Sequence, residues 1–218
     1  MTAALLLAVL TAVGSAPKKK QDVDTVISRA IAAWAKVRTL RATFEQTVMN
    51  PLTGSAMNSR GSLQQRKPNR LSITFTDPAG DRIVADGANV WVFLPSATPG
   101  QVIKMTNAQA GGANTDLIGQ FLDAPRSRYD ITDAGSETVN GRPTRALVLT
   151  AKQGQSLPFI RAKVWVDTKD YLIRQFESTD RNGISRKVRL LTVSPNASVD
   201  TSAFRFVVPN GVRVVTAP

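Results

Sequence analysis

The sequence predicts a mainly β fold with a few helices, in which a single antiparallel sheet curls into a barrel or half barrel. Short segments of alternating apolar and polar residues fill most of the chain beyond residue 39. Turn-forming pairs such as Asp86-Gly87, Asn140-Gly141 and Asn182-Gly183 separate neighbouring segments, as in a meandering sheet. The length of 218 residues suits one domain of this kind.

Residues 1–16 have the pattern of a secretory signal peptide. Ala3–Val13 is an apolar run too short to span a bilayer, and cleavage is expected after Gly14 or Ala16. The segment lacks the usual Lys or Arg, which leaves a non-cleaved apolar end as the alternative. We therefore expect an exported protein whose mature domain is residues 17–218.

The strongest helix pattern is Asp22–Arg38. Its apolar residues recur at three- and four-residue spacing, and Asp22 and Asp24 lie where the start of a helix favours acidic side chains. The resulting stripe is expected to pack on the sheet, either permanently or as one wall of a cavity. The stripe consists of Val23, Val26, Ile27, Ala30, Ile31, Trp34 and Val37.

The stretch Gly61–Pro95 contains the steepest alternation in the chain. Within Arg70–Thr76, Leu71, Ile73 and Phe75 point to one face while Ser and Thr point to the other. This pattern predicts a curved sheet whose apolar face needs a cover. The other predicted strands are Leu40–Met49, Met57–Arg66, Ile83–Ala85, Val90–Leu94, Gln101–Met105, Tyr129–Thr132, Glu137–Val139, Thr144–Ala151, Phe159–Val166, Tyr171–Glu177, Ile184–Val193 and Phe204–Val208, with one helical turn at Asp200–Ala203.

A short helix is predicted at Leu117–Asp123, between a flexible joint at Gly111-Gly112 and Pro125, which is expected to end it. Two turns are marginal as an isolated helix, so its apolar side chains must dock on the rest of the protein. This helix has the form of a lid; a crossover helix in a closed core is the alternative. Its large apolar residues are Leu117, Ile118, Phe121 and Leu122.

Composition limits the chemistry that the chain offers. The absence of Cys and His excludes disulfides, Cys-based metal sites, Cys nucleophiles and the commonest general base. The sequence has no nucleophile triad, phosphate-binding loop or dinucleotide fingerprint. Asp77, Asp81 and Asp86 fall in predicted turns, where Asp is common. We expect neither an enzyme nor a cofactor or metal site.

The net charge of +12 has two interpretations. It would attract nucleic acid or an anionic membrane, but charges scattered along the chain are typical of a solvated surface. Arg161, Lys163 and Trp165 share one strand face, yet aromatic residues are only 6% of the chain and mostly suit a core, so no nucleic-acid partner is expected. A half-closed sheet with one apolar face, beneath a helix and a lid, indicates a cavity for an apolar ligand instead.

The run Lys67–Pro95 resembles the signature of the periplasmic lipoprotein carrier family, LolA. The shared features are a basic residue before Pro and Asn, an alternating strand, and a hairpin with Asp-Gly and Trp. Other segments resemble the family in the same order, over nearly the whole mature chain. They are Thr43–Gln46, Val139–Arg142, Leu147–Lys152, Ala162–Asp167 and Asn196–Val215.

The resemblance implies an unclosed, half β-barrel covered by an N-terminal helix and a short lid helix. It also implies a periplasmic carrier that accepts lipoproteins from an inner-membrane ABC release complex, shields their acyl chains, and passes them to an outer-membrane acceptor lipoprotein. We expect the carrier to act as a monomer. The alternative is an envelope-sensing or regulatory protein on the same scaffold, which binds lipid or a partner protein without delivering it.

The resemblance also assigns roles to individual residues. Lys67 stands where the family has an Arg that bonds the lid helices, so Lys67 is the expected lid latch, with point-like donors in place of a planar fork. Leu71 matches an apolar position implicated in ligand transfer. For each lining residue, plain core packing is the alternative. The expected lining of the acyl-chain cavity is Trp34, Phe44, Leu71, Ile73, Phe75, Trp91, Phe93, Leu117, Ile118, Phe121 and Leu122.

Overall fold

A computed structural model describes residues 22–109, 115–155 and 157–216. The expected signal peptide and the Gly111-Gly112 joint lie outside the described residues. The helices are α1 (Val23–Ala35) and α2 (Pro125–Arg128), with 3-10 turns at Gly119–Phe121 and Thr201–Phe204. The strands are β1 (Thr39–Asn50), β2 (Ser55–Arg66), β3 (Arg70–Asp77), β4 (Ala79–Asp86), β5 (Asn89–Phe93), β6 (Gln101–Thr106), β7 (Tyr129–Val139), β8 (Arg142–Ala151), β9 (Arg161–Asp167), β10 (Ile173–Thr179), β11 (Ser185–Pro195) and β12 (Arg213–Thr216).

The twelve strands form one sheet in the order β12-β6-β5-β4-β3-β2-β1-β11-β10-β9-β8-β7. Neighbours are antiparallel, except that β12 runs parallel to β6. The first and last strands of this order do not pair, so the sheet is not closed into a barrel. This confirms the predicted fold class. The long strand β1 joins the two halves, since it pairs with β2 on one side and β11 on the other.

Helix α1 covers one face of the sheet, here called the inner face, which carries Phe44, Leu63 and Leu190. Successive residues of its apolar stripe lie about one turn apart and so form one face of the helix. Ile27 and Ala30 on this face are fully buried in the same core as these strand residues. The helix ends at Ala35, three residues before the predicted end. Among the described helices, none is long and apolar enough to cross a membrane.

The predicted helix at Leu117–Asp123 is wrong in form. Residues 115–124, here called the lid segment, form no α-helix and contain the 3-10 turn Gly119–Phe121. Pro125 does not end a helix but begins α2. A proline fits the first position of a helix, because the N–H it lacks would have no partner there.

The strand expected at Phe204–Val208 is also wrong. A 3-10 turn, capped by Asp200 through the Ser202 N–H at 2.9 Å, ends at the buried Phe204. Phe206 then packs on the face of the sheet opposite α1, here called the outer face, before β12 adds to β6. The C-terminal segment thus covers part of the outer face.

Candidate functional site: a lidded apolar cavity

The inner face encloses a cavity of about 260 Å³ between the first half of the sheet, β11 and the lid segment. Apolar side chains dominate its wall, and a few polar groups come from β1, β2 and β4. This combination is typical of ligand pockets, although the volume is at the low end for one. The wall consists of Phe44, Gln46, Val48, Met57, Asn58, Ser59, Ile73, Phe75, Pro78, Asp81, Ile83, Leu94, Leu117, Arg186 and Val188.

Four of the predicted lining residues lie in this wall: Phe44, Ile73, Phe75 and Leu117. Phe44 and Phe75 meet edge to face, with ring centroids 5.6 Å apart. Gly61 lies between them in the pairing of β1, β2 and β3. A Cβ on Gly61 would overlap the backbone of β3, so only glycine allows β2 and β3 to approach this closely.

The rest of the lid segment is anchored in the core. Leu117 is half-buried and faces the cavity, whereas Ile118 and Leu122 are buried. Phe121 is completely buried and packs on Phe159 and Phe176, with centroids 5.2 and 5.0 Å away. In this closed arrangement these three side chains hold the lid segment down and do not line the cavity.

A carboxylate that sequence reasoning missed ties the lid segment to its neighbours. Asp116 Oδ2 accepts a hydrogen bond from Trp34 Nε1 of α1 at 3.1 Å. Asp116 Oδ1 accepts from Gln65 Nε2 of β2 at 2.9 Å and from the Gly119 N–H at 2.7 Å. Three parts of the structure therefore meet at Asp116. Trp34 lies at this junction and not in the cavity wall.

Lys67 lies beside this junction. Its Nζ donates to the Trp34 carbonyl oxygen at 2.8 Å and lies 4.3 Å from the centroid of the Trp34 ring. Burial lowers the pKa of Lys67 by desolvating the ammonium, and the attraction of Asp116 partly offsets this. Among the described residues, Lys67 thus bonds α1 directly and reaches the lid segment only through the charge of Asp116. Its role as a latch stays a prediction.

The placement of Trp91 and Phe93 requires correction, because both lie on the outer face. In the pairing of β4 and β5, Val90 and Val92 share the inner face. The two aromatic residues alternate with them and stack on Phe206, with centroids 5.4 and 5.9 Å away. Leu71 is on the inner face but buried with Ala85 and Val90 beyond the cavity. The predicted lining residues that lie outside the cavity wall, besides Trp91 and Phe93, are thus Trp34, Leu71, Ile118, Phe121 and Leu122.

A second depression, at the C-terminal end of α1, holds about 600 Å³ but is an open groove. Arg38, Arg66 and Lys67 border it together with residues 197–199. It has no enclosed apolar wall, so the smaller cavity is the better candidate. Within the described part of the chain, no cluster of carboxylates could hold a metal ion.

A family model and curated relatives agree on one family for this chain. The family model described as "Outer membrane lipoprotein carrier protein LolA" matches residues 35–207. The outer-membrane lipoprotein carrier protein of Methylibium petroleiphilum is 39% identical over 187 residues, which cover 83% of this chain and 84% of the relative. The corresponding protein of Leptothrix cholodnii is 31% identical over 183 residues, covering 82% and 80%.

Solved structures support the same fold. An uncharacterized conserved protein from Thermus thermophilus superposes with a TM-score of 0.54 at 12% identity, covering 90% of this chain and all of that one. MucB superposes with a TM-score of 0.53 at 16% identity, covering 87% of this chain and 64% of MucB. At these identities the likeness concerns the fold alone.

Proposed function

The chain belongs to the outer membrane lipoprotein carrier family, LolA, and from that premise we propose that it shields the acyl chains of lipoproteins and moves them from the inner to the outer membrane. The proposal places it in the periplasm, as a monomer without cofactor or catalytic step. Its donor would be an inner-membrane ABC release complex, and its acceptor an outer-membrane lipoprotein.

The observation that carries the proposal is the apolar cavity beneath the lid segment. Phe44, Ile73, Phe75 and Val188 provide a wall that removes hydrocarbon from water, which stabilises a bound chain by about 0.8 kcal/mol per buried methylene. A long acyl chain needs more room than about 260 Å³, so loading requires the lid segment to move. The lid segment brings further apolar surface to the cargo as it does so.

When the lid segment moves, its apolar contacts with the core are replaced by contacts between the core and the acyl chain. Opening withdraws Ile118, Phe121 and Leu122 from the core, and an incoming acyl chain covers the surface that they leave. Because the gain from the chain is offset by the lost lid contacts, net affinity is moderate. A carrier that must release its cargo needs such a balance.

Alternate residues of β3 offer a matched test. Phe75→Glu introduces a charge into the cavity wall, whereas Thr74→Glu introduces the same charge on the exposed outer face of the same strand. We expect the first variant to lose acyl cargo and the second to keep it, in mass spectrometry of lipids and lipoproteins that co-purify from the periplasm. Circular dichroism spectra of both variants check that they fold.

Two results would contradict the proposed function. Equal cargo in the two variants would show that the cavity is not where acyl chains bind. Depletion of the protein adds a second measurement: a carrier's loss retains lipoproteins in the inner membrane. A change in envelope-stress gene expression with normal lipoprotein sorting would favour a regulatory protein instead.

A further inference from the structure

A single basic side chain, that of Arg186, lies in the described wall of the cavity. Arg186 belongs to β11 and stands opposite Val48 of β1 and Ser178 of β10. Alternation along β11 places it on the inner face with the buried Val188, while Lys187 points to the outer face. Its side chain remains accessible to solvent and enters the cavity.

No carboxylate among the described residues lies within ion-pair distance of Arg186, and no described group forms a hydrogen bond with its side chain. The nearby Asp180 attracts it, but the Asp180 carboxylate already accepts the backbone N–H groups of Asn182 and Ile184. Asp81, the one acid in the cavity wall, is engaged by Ser96. The five N–H donors of the guanidinium therefore have no hydrogen-bond partner among the described residues.

The position of Arg186 gives the cavity two chemically different ends. Met57 lies opposite Val48, so Met57 and Arg186 flank the same end. Phe44 lies toward the other end. It is four residues from Val48 along β1, which at about 3.3 Å for each residue places it about 13 Å away. This distance suits an extended medium-length hydrocarbon chain with a polar head at the Arg186 end.

We propose that the cavity binds an acyl chain with an oxyanion head, a carboxylate or a phosphate, and that Arg186 is the residue that binds this head. A planar guanidinium forms paired hydrogen bonds with either oxyanion. The inference rests on the proposed acyl-binding cavity and extends its ligands from the ester- and amide-linked chains of lipoproteins, which have no oxyanion head, to free anionic lipids.

Isothermal titration calorimetry of the mature chain at pH 7.5 tests the proposal with decanoate, decyl phosphate and uncharged 1-decanol. Arg186→Gln should weaken binding of both anions about tenfold to a hundredfold, the usual effect of removing hydrogen bonds to a charged group, and leave 1-decanol unchanged. Arg186→Lys should lose less. The tighter of the two anions identifies the head group.

Lys187→Gln is the matched control, because it removes the same charge from the next residue on the outer face. It should leave all three affinities as in the wild type. Equal weakening in Lys187→Gln and Arg186→Gln, or unchanged anion binding in Arg186→Gln, would overturn the role of Arg186 while 1-decanol binding still supports the cavity. Failure of all three ligands to bind would overturn the acyl-binding cavity itself.

Discussion

The carboxylate of Asp116 is the strongest candidate for the tether that keeps the lid segment closed. Asp116→Ala removes the acceptor of three donors, the Trp34 indole, the Gln65 amide and the Gly119 N–H, at 3.1, 2.9 and 2.7 Å. At about 1 kcal/mol net for each bond, the closed state loses about 3 kcal/mol relative to the open state. Asp116→Asn retains one acceptor oxygen and should lose less.

Hydrogen exchange measures this opening directly. The amides of Gln120, Leu122 and Asp123 are bonded within the lid segment, so they exchange only when it opens. A loss of about 3 kcal/mol should accelerate their exchange about a hundredfold. Amides in the ladder between β1 and β2 should keep their wild-type rates, because this ladder does not depend on the lid segment.

Asp123→Ala supplies the control for the same segment. Its carboxylate pairs with Arg128 at 3.0 Å on the surface and forms no bond with α1 or β2. Lid exchange as fast in Asp123→Ala as in Asp116→Ala would refute the tether. Uniform acceleration throughout the sheet would refute it as well, since it would mean that Asp116 supports the whole fold and not the lid.

Three further substitutions test other features by chemical denaturation. Gly61→Ala should lower the free energy of unfolding by about 1–3 kcal/mol, because the new Cβ overlaps a backbone carbonyl of β3. Asp167→Asn should cost about 3 kcal/mol at pH 7, since it leaves Arg142 and Arg174 without their buried partner. Burial alone would raise the pKa of Asp167, but bonds from these arginines hold the pKa below its ordinary value. The stabilisation by the Asp167 carboxylate is therefore complete above pH 3.8 and is lost as pH falls through the folded pKa. The free energies of unfolding of the wild type and of Asp167→Asn should converge in acid. Phe206→Ala should cost about 1–3 kcal/mol through the lost stacking on the outer face, with decanoate affinity unchanged.

Local pattern was sufficient to predict most of the sheet. The alternation around Leu71 and Ile73 and the stripe of α1 depend on neighbours a few residues apart, and both appear as predicted. The faces of β5 were not predictable in this way. Val90 and Val92 are apolar, and so are Trp91 and Phe93, because the C-terminal segment covers the outer face as the inner face is covered by α1.

The cavity wall depends on contacts that no local pattern reveals. Arg186 and Val188 enter it because β11 pairs with β1, although about 140 residues separate the two strands in the chain. No local pattern predicted the contacts of Asp116, whose partners include side chains of α1 and β2. The sheet pattern and the family resemblance both predicted a cavity, but the roles of Asp116 and Arg186 emerged only from the three-dimensional structure.

On the proposed function, the lid segment and the acyl cargo compete for the same apolar surface. The single side chain of Phe121 packs against two aromatic rings of the core. Opening of the lid segment without cargo therefore exposes a large apolar area to water. The polar tether at Asp116 adds a cost that does not depend on cargo length, whereas the gain from the acyl chain grows with each methylene. We therefore expect short chains not to open the lid, and long chains to open it with only a small net gain in binding free energy. A substitution that weakens the tether should shift this threshold toward shorter chains, which links the exchange of the lid amides to the range of cargo that the protein accepts.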